Sequence, residues 1–221
     1  MSLGLTGNAR LSAAAKRPQP PDRAGAKPAA KKATHSDRTV DEEQRLDLLI
    51  GDRAHRTIAR ILAGEPLPEN RAAFSLRVLD AAREVLEEWP ATTERKRALL
   101  IGTSTYASAY MRRFAPGAPW LFSGAEVALG SGRADLVFEN QQTHQVGVDE
   151  IKAGASRRGH TAGREQVLRY LAGGRQKWGA SFIGVRLIWL ASPFSSQFYG
   201  ANALRGRPLS DTPYLSLGDP R

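Results

Sequence analysis

The chain's 221 residues, 41% of them hydrophobic and 24% charged, suffice for one domain with a substantial core and leave length for tails. It contains no cysteine, which excludes disulfides and thiolate-held zinc or iron–sulfur sites, and no apolar run reaches the roughly 18 residues of a membrane span. The formal net charge of +10 predicts a polyanionic partner, nucleic acid or an acidic surface; with no charged leader running into an apolar segment at Met1, the chain reads as cytoplasmic.

Residues 1–38 are rich in Ala, Pro, Gly, Lys and Arg, carry eight Lys or Arg against Asp22 and Asp37, and show no apolar period. They read as a disordered basic tail, either a nucleic-acid arm or a solvated leader. Thr39 and Glu42 form a capping box that predicts a helix with Leu46, Leu49, Ile50, Ala54, Ile58 and Ile61 on one face. Gly51 interrupts it at a cost of about 1 kcal/mol relative to alanine, so a close approach to the backbone is expected at that turn. His55 follows four residues later beside the apolar stripe. By itself it reads as a packed or hydrogen-bonded residue at the core edge.

A second helix is predicted from an Asn70 cap to Trp89, ended by Pro90, and a third from Thr93 to Phe114. Both read as scaffold. A hairpin then turns at Gly130-Ser131-Gly132, with Ala128, Ala134, Leu136 and Phe138 alternating and Asp135 in mid-strand. Gln145 to Lys152 reads as a third strand carrying Val146 and Val148. Period two puts Glu150 and Lys152 on one face and turns Ile151 into the core. The same alternation turns Asp149 away from Glu150, as a structural or solvent-facing acid. Paired carboxylates suit a hard divalent cation, and a lysine beside them can act on water held there. A helix from about Thr161 to Lys177 puts Gln166 and Tyr170 on one face. The apolar run Phe182 to Leu190 reads as an interior strand, and residues 193–221 as a loop or edge extension.

Asp135 followed by Glu150-Ile151-Lys152 resembles the D…(D/E)xK signature of the PD-(D/E)XK nuclease superfamily, and GRADLVF with VDEIKAG is similar to its RecB-like branch. Gln166 and Tyr170 match the QxxxY motif of that branch, and Gly51 and His55 its GxxxH helix. An ExK tripeptide alone carries almost no information; the ordered set, over residues 46–192, carries the resemblance. The chain lacks the cysteines that hold an iron–sulfur cluster in several RecB-like relatives.

The resemblance implies an α/β fold, a restriction-endonuclease-like αβββαβ core over residues 39–192 with extra N-terminal helices. It implies a Mg²⁺- or Mn²⁺-dependent deoxyribonuclease that leaves 5′-phosphate and 3′-hydroxyl ends. Glu126, Asp135, Glu150 and Lys152 would be catalytic, and His55, Asp135, Glu150 and the backbone carbonyl of Ile151 would hold the metal. Gln166 and Tyr170 would help to hold DNA, with Arg157, Arg158 and Arg164 in a positive rim that contacts phosphates without reading sequence. The expected partner is DNA, single-stranded or at duplex ends, and not a membrane. End trimming is the expected mode, since the chain has little spare length for elements that read bases. The alternatives are a non-catalytic nucleic-acid-binding module and a nuclease toxin or endonuclease with the same site.

Overall fold

The computed structural model describes residues 35–87, 92–153, 159–191 and 193–202, with side chains from Arg45 onward except those of 159–162 and 164. Three helices come first: α1 (His35–Ala63), α2 (Arg71–Glu87) and α3 (Thr93–Arg113). They are followed by β1 (Trp120–Leu129), β2 (Gly132–Asn140), β3 (Val146–Lys152), α4 (Gly159–Trp178), β4 (Phe182–Trp189) and β5 (Ser195–Gly200). The strands form one mixed sheet in the order β1-β2-β3-β4-β5. Only β3 and β4 run parallel. Parallel neighbours cannot be joined by a tight turn, and α4 is the connection between them. The fold is thus α/β. No helix among the described residues is long and apolar enough to cross a membrane.

Alternation along the strands divides the core in two. On one face Leu136, Phe138, Ile151 and Ile188 pack with Ile58, Val78 and Tyr110 of the three-helix layer. On the other, Val137, Val146, Val148, Val185 and Leu187 pack with Val167, Tyr170 and Leu171 of α4. Each large apolar side chain so buried is worth about 1.5–3 kcal/mol, which is why β3 and β4 tolerate few polar positions. Those they have are informative.

Several boundaries differ from the sequence reading. Helix α1 begins at His35, so it runs through Thr39, which is not its cap, and takes in the last four residues assigned to the tail; the rest of the tail lies outside the described residues. Asn70 does cap α2, accepting from the amides of Ala72 at 2.8 Å and Ala73 at 3.1 Å, while Trp89 and Pro90 lie outside the described residues. The extension after residue 192 contributes an edge strand, β5, with Phe198 and Tyr199 buried. Residues 203–221 lie outside the described residues.

The β1–β2 hairpin departs from simple alternation. Ala125 pairs with Leu136 on the three-helix face, whereas Val127 pairs with Ala134 on the α4 face. Both strands therefore turn over between these pairs. The residues at the turnover, Glu126 and Asp135, make no ladder pair, and Glu126 has a φ of 52°, left-handed backbone that costs a non-glycine residue roughly 1–2 kcal/mol. The expected alternation of Ala134 with Leu136 and Phe138 fails for this reason. Irregular backbone of this kind is over-represented next to active sites.

Candidate active site

Helix α1 reaches the sheet through Gly51. A Cβ there would lie 3.1 Å from the Cβ of Ala153, just past β3, so the close approach expected at this glycine is made by Ala153. One turn later the same helix delivers His55, whose Nδ1 is 3.4 Å from Asp135 Oδ1. Its Nε2 is buried with no hydrogen-bond partner. Burial, the largest influence, and the charge of Lys152 lower the imidazole pKa against the opposing pull of Glu150, so the ring is neutral near pH 7 and has a lone pair to offer.

Asp135 and Glu150 come together because the β2–β3 ladder stops at Leu136 and Asp149, one residue short of them. The Ile151 amide, which needs an acceptor, donates instead to Asp135 Oδ2 at 2.7 Å. Glu150 is 2% exposed; its Oε1 accepts from Lys152 Nζ, and its Oε2 is buried without a partner. Burial raises the Asp135 carboxyl to about 7, against the Ile151 hydrogen bond. Burial and then the charge of Asp135 raise Glu150 to about 7. Two buried acids this close titrate as a pair and resist becoming anionic together.

Lys152 is held in a directed chain of hydrogen bonds. The Arg133 carbonyl can only accept, so the Tyr170 hydroxyl donates to it. The Tyr170 oxygen in turn accepts from Gln166 Nε2 at 2.6 Å, which turns Gln166 Oε1 toward Lys152 Nζ, 2.7 Å away. Burial, reinforced by Glu150, pushes the Tyr170 phenol up to about 12, so it remains a donor. Gly132 makes room for the ring, since a Cβ there would lie 2.8 Å from Tyr170 Cε1. Tyr170 is buried, and its hydroxyl is engaged as donor and acceptor inside the protein. In the free protein the contacts of Gln166 and Tyr170 thus run to Lys152 and to the Arg133 carbonyl.

Glu126 stands across the hairpin from Asp135, half exposed, with an oxygen 3.4 Å from Arg133 Nε. Its charge adds to the rise that burial imposes on Asp135 and opposes in part the fall that burial imposes on His55. Arg157 and Arg158 lie outside the described residues, as does the side chain of Arg164. Arg169, Arg175 and Lys177 are exposed on α4.

Asp149 is structural and not solvent-facing. It is fully buried, accepts from Tyr110 Oη at 2.6 Å and from Arg186 Nε at 2.9 Å, and sits directly opposite Arg186 in the parallel β3–β4 register. Arg186 also donates to the Phe114 carbonyl at 2.6 Å, tying the end of α3 to the sheet. Sequence reasoning passed over Arg186. The signal was present: an arginine inside an otherwise apolar strand must find a buried anion.

The donor set suits a divalent cation. Asp135 and Glu150 offer carboxylate oxygens, and His55 Nε2 and Glu150 Oε2 are buried polar atoms without partners, the kind of orphan a metal ion satisfies. Among the described residues no three such side chains are gathered closely enough to hold a metal ion, and in the free protein Asp135 is engaged by Ile151 and Glu150 by Lys152. The consequence is measurable without substrate. For acids raised from 3.8 and 4.5 to about 7, the folded state binds protons more tightly than the unfolded one. Their contribution to stability is thus full below about pH 4 and is lost as pH rises through about 7. His55, lowered from 6.5, works in the opposite sense below that pH, but it is one group against two. In EDTA the melting temperature is expected to fall between about pH 5 and pH 8, by an amount worth roughly a few kcal/mol. Mn²⁺ should raise it more at the higher pH, and Asp135→Asn should flatten the profile. A wild-type melting temperature that climbs with pH in EDTA would contradict this account.

The chain matches no protein-family model, no curated protein and no solved structure.

Proposed function

We propose that the protein is a Mg²⁺- or Mn²⁺-dependent deoxyribonuclease of the RecB-like PD-(D/E)XK type, with a restriction-endonuclease-like core made of a helix from the N-terminal layer, β1, β2, β3, α4 and β4. The observation that carries the reading is the convergence of separate motifs. His55 from α1 pairs with Asp135 from β2, Asp135 takes the amide of Ile151 between Glu150 and Lys152 of β3, and Lys152 joins Glu150 to Gln166 and Tyr170 of α4, although nearly the whole domain separates the first from the last in sequence. A packed core has no need of a carboxylate pair, an imidazole and an ammonium in one place.

Asp135, Glu150, the Ile151 carbonyl and His55 would hold the cation. A divalent ion there would neutralise charge on the phosphoryl group and acidify a water molecule. Lys152 directs its protons, within the fork set by Glu150 and Gln166, to the attacking water or to the charge that develops on the phosphorane. Water oxygen bonds to phosphorus and gives up a proton to solvent, the P–O3′ bond breaks, and the 3′ oxygen takes up a proton from solvent to leave 5′-phosphate and 3′-hydroxyl ends. End trimming is the expected mode, and repair, recombination or defence the expected setting.

Purified protein should degrade DNA with Mg²⁺ or Mn²⁺ and leave it intact in EDTA. A plasmid should be compared closed and linearised under the same conditions. Faster loss of the linear form supports end processing, and discrete products from the circle at equal rate favour an endonuclease. Binding without any cleavage under either metal would replace the enzyme by a nucleic-acid-binding module.

A further inference from the structure

Arg133 has no role in the site as assigned above, yet it is built into it. Its carbonyl is the acceptor at the end of the Tyr170–Gln166–Lys152 chain, which pins its Cα, while its side chain is 70% exposed. It lies two residues before Asp135 on β2. The anion beside its guanidinium is Glu126, at 3.4 Å and itself half exposed. An exposed ion pair of this kind contributes little to folding, and Glu126 makes it from left-handed backbone, φ 52°, which is strained. Stability does not account for that arrangement.

Charge does. A polyanion reaching this site meets Glu126, Asp135 and Glu150, while Lys152 is already engaged by Glu150 and Gln166. The approaching phosphate needs a cation that stands outside the buried cluster of Asp135, Glu150 and Lys152 and that its present partner can give up cheaply. Arg133 meets both conditions, and its planar fork matches two phosphate oxygens.

We propose that Arg133 is a phosphate-binding residue of this site, whose guanidinium leaves Glu126 for a backbone phosphate of the incoming nucleic acid. The proposal rests on the nucleic-acid reading above. Glu126 thereby holds the arginine at the rim in the free protein and competes with the phosphate for it. The exchange trades a loose pair with one carboxylate for a two-point, charge-assisted contact, and it carries no base preference because phosphates carry none.

The test is binding of a short fluorescein-labelled DNA duplex in EDTA, followed by anisotropy between about 50 and 200 mM salt. Arg133→Ala is expected to weaken binding about fivefold to tenfold at the low end, and to reduce the slope of log K against log salt by about 1. Arg133→Lys should restore the slope and only part of the affinity, because lysine has the charge without the fork. In a Glu126→Gln background, Arg133→Ala should cost more than in the wild type, since the competitor is gone. Arg83→Ala, which removes an exposed arginine paired with Asp80 on α2, provides the comparison and should leave the slope unchanged. A wild-type slope in Arg133→Ala, or a loss no greater than that of Arg83→Ala, overturns the role of Arg133 while leaving the nuclease reading intact. A wild-type protein that neither binds nor cuts DNA overturns both.

Discussion

Lys152→Ala is expected to lower DNA cleavage by at least about 100-fold, the scale on which loss of one donor aimed at developing transition-state charge is felt, while DNA affinity changes little, because one charge is a small share of a multi-phosphate contact. The split separates a reacting group from a rim cation. The hydrogen-bond chain behind the lysine makes a second arm of the same experiment. Tyr170→Phe removes the donor to the Arg133 carbonyl and the acceptor for Gln166 Nε2, so the Gln166 amide loses what fixes its orientation. Loss of such an outer partner typically costs about 10- to 100-fold. The expected result is a fall in kcat within that range, with DNA binding in EDTA unchanged. If Gln166 and Tyr170 instead hold DNA, Tyr170→Phe will weaken binding and spare kcat. Normal turnover by Lys152→Ala would remove the site assignment altogether.

Arg186→Met should destabilise the protein by about 3–5 kcal/mol, the usual result of removing one partner of a buried ion pair and stranding the other. Asp149 would keep the Tyr110 hydroxyl but lose the guanidinium, and Phe114 would lose the donor to its carbonyl. Adding Asp149→Leu should recover part of the loss, since an apolar pair of similar volume leaves no charge stranded in the core. Urea denaturation of the two single variants and the double variant reads the coupling directly. A loss below about 1 kcal/mol for Arg186→Met would mean that water reaches this cluster and that it does not brace β3. The cluster matters to the site because Asp149 immediately precedes Glu150. Whatever holds Asp149 against β4 and α3 also fixes the next residue of β3, Glu150.

Short-range periodicity determined much of this protein by itself. The alternation Val146, Val148, Glu150, Lys152 placed an acid and a lysine on one face and Ile151 on the other, because strand side chains alternate whatever surrounds them. The i, i+4 spacing of Gln166 and Tyr170 put both on one face of α4, and the misplaced Gly51 announced a close contact without saying with what. Only the tertiary structure decided the rest. That Ala153 is the neighbour of Gly51, that Arg186 lies opposite Asp149, and that Tyr170 reaches back to Arg133 are pairings between distant segments, set by sheet register and helix packing, on which local periodicity has no hold. The turnover at Glu126 and Asp135 was hidden for the same reason. Alternation assumes an unbroken ladder, and here the ladder gives way where two carboxylates face each other across the hairpin. Burial also decided the surroundings of two polar residues that local pattern leaves open. Asp149 and Tyr170 have hydroxyl or carboxylate groups that water would satisfy equally well, and only the packed layers on either side of the sheet replace that water with Arg186, Tyr110, Gln166 and a backbone carbonyl.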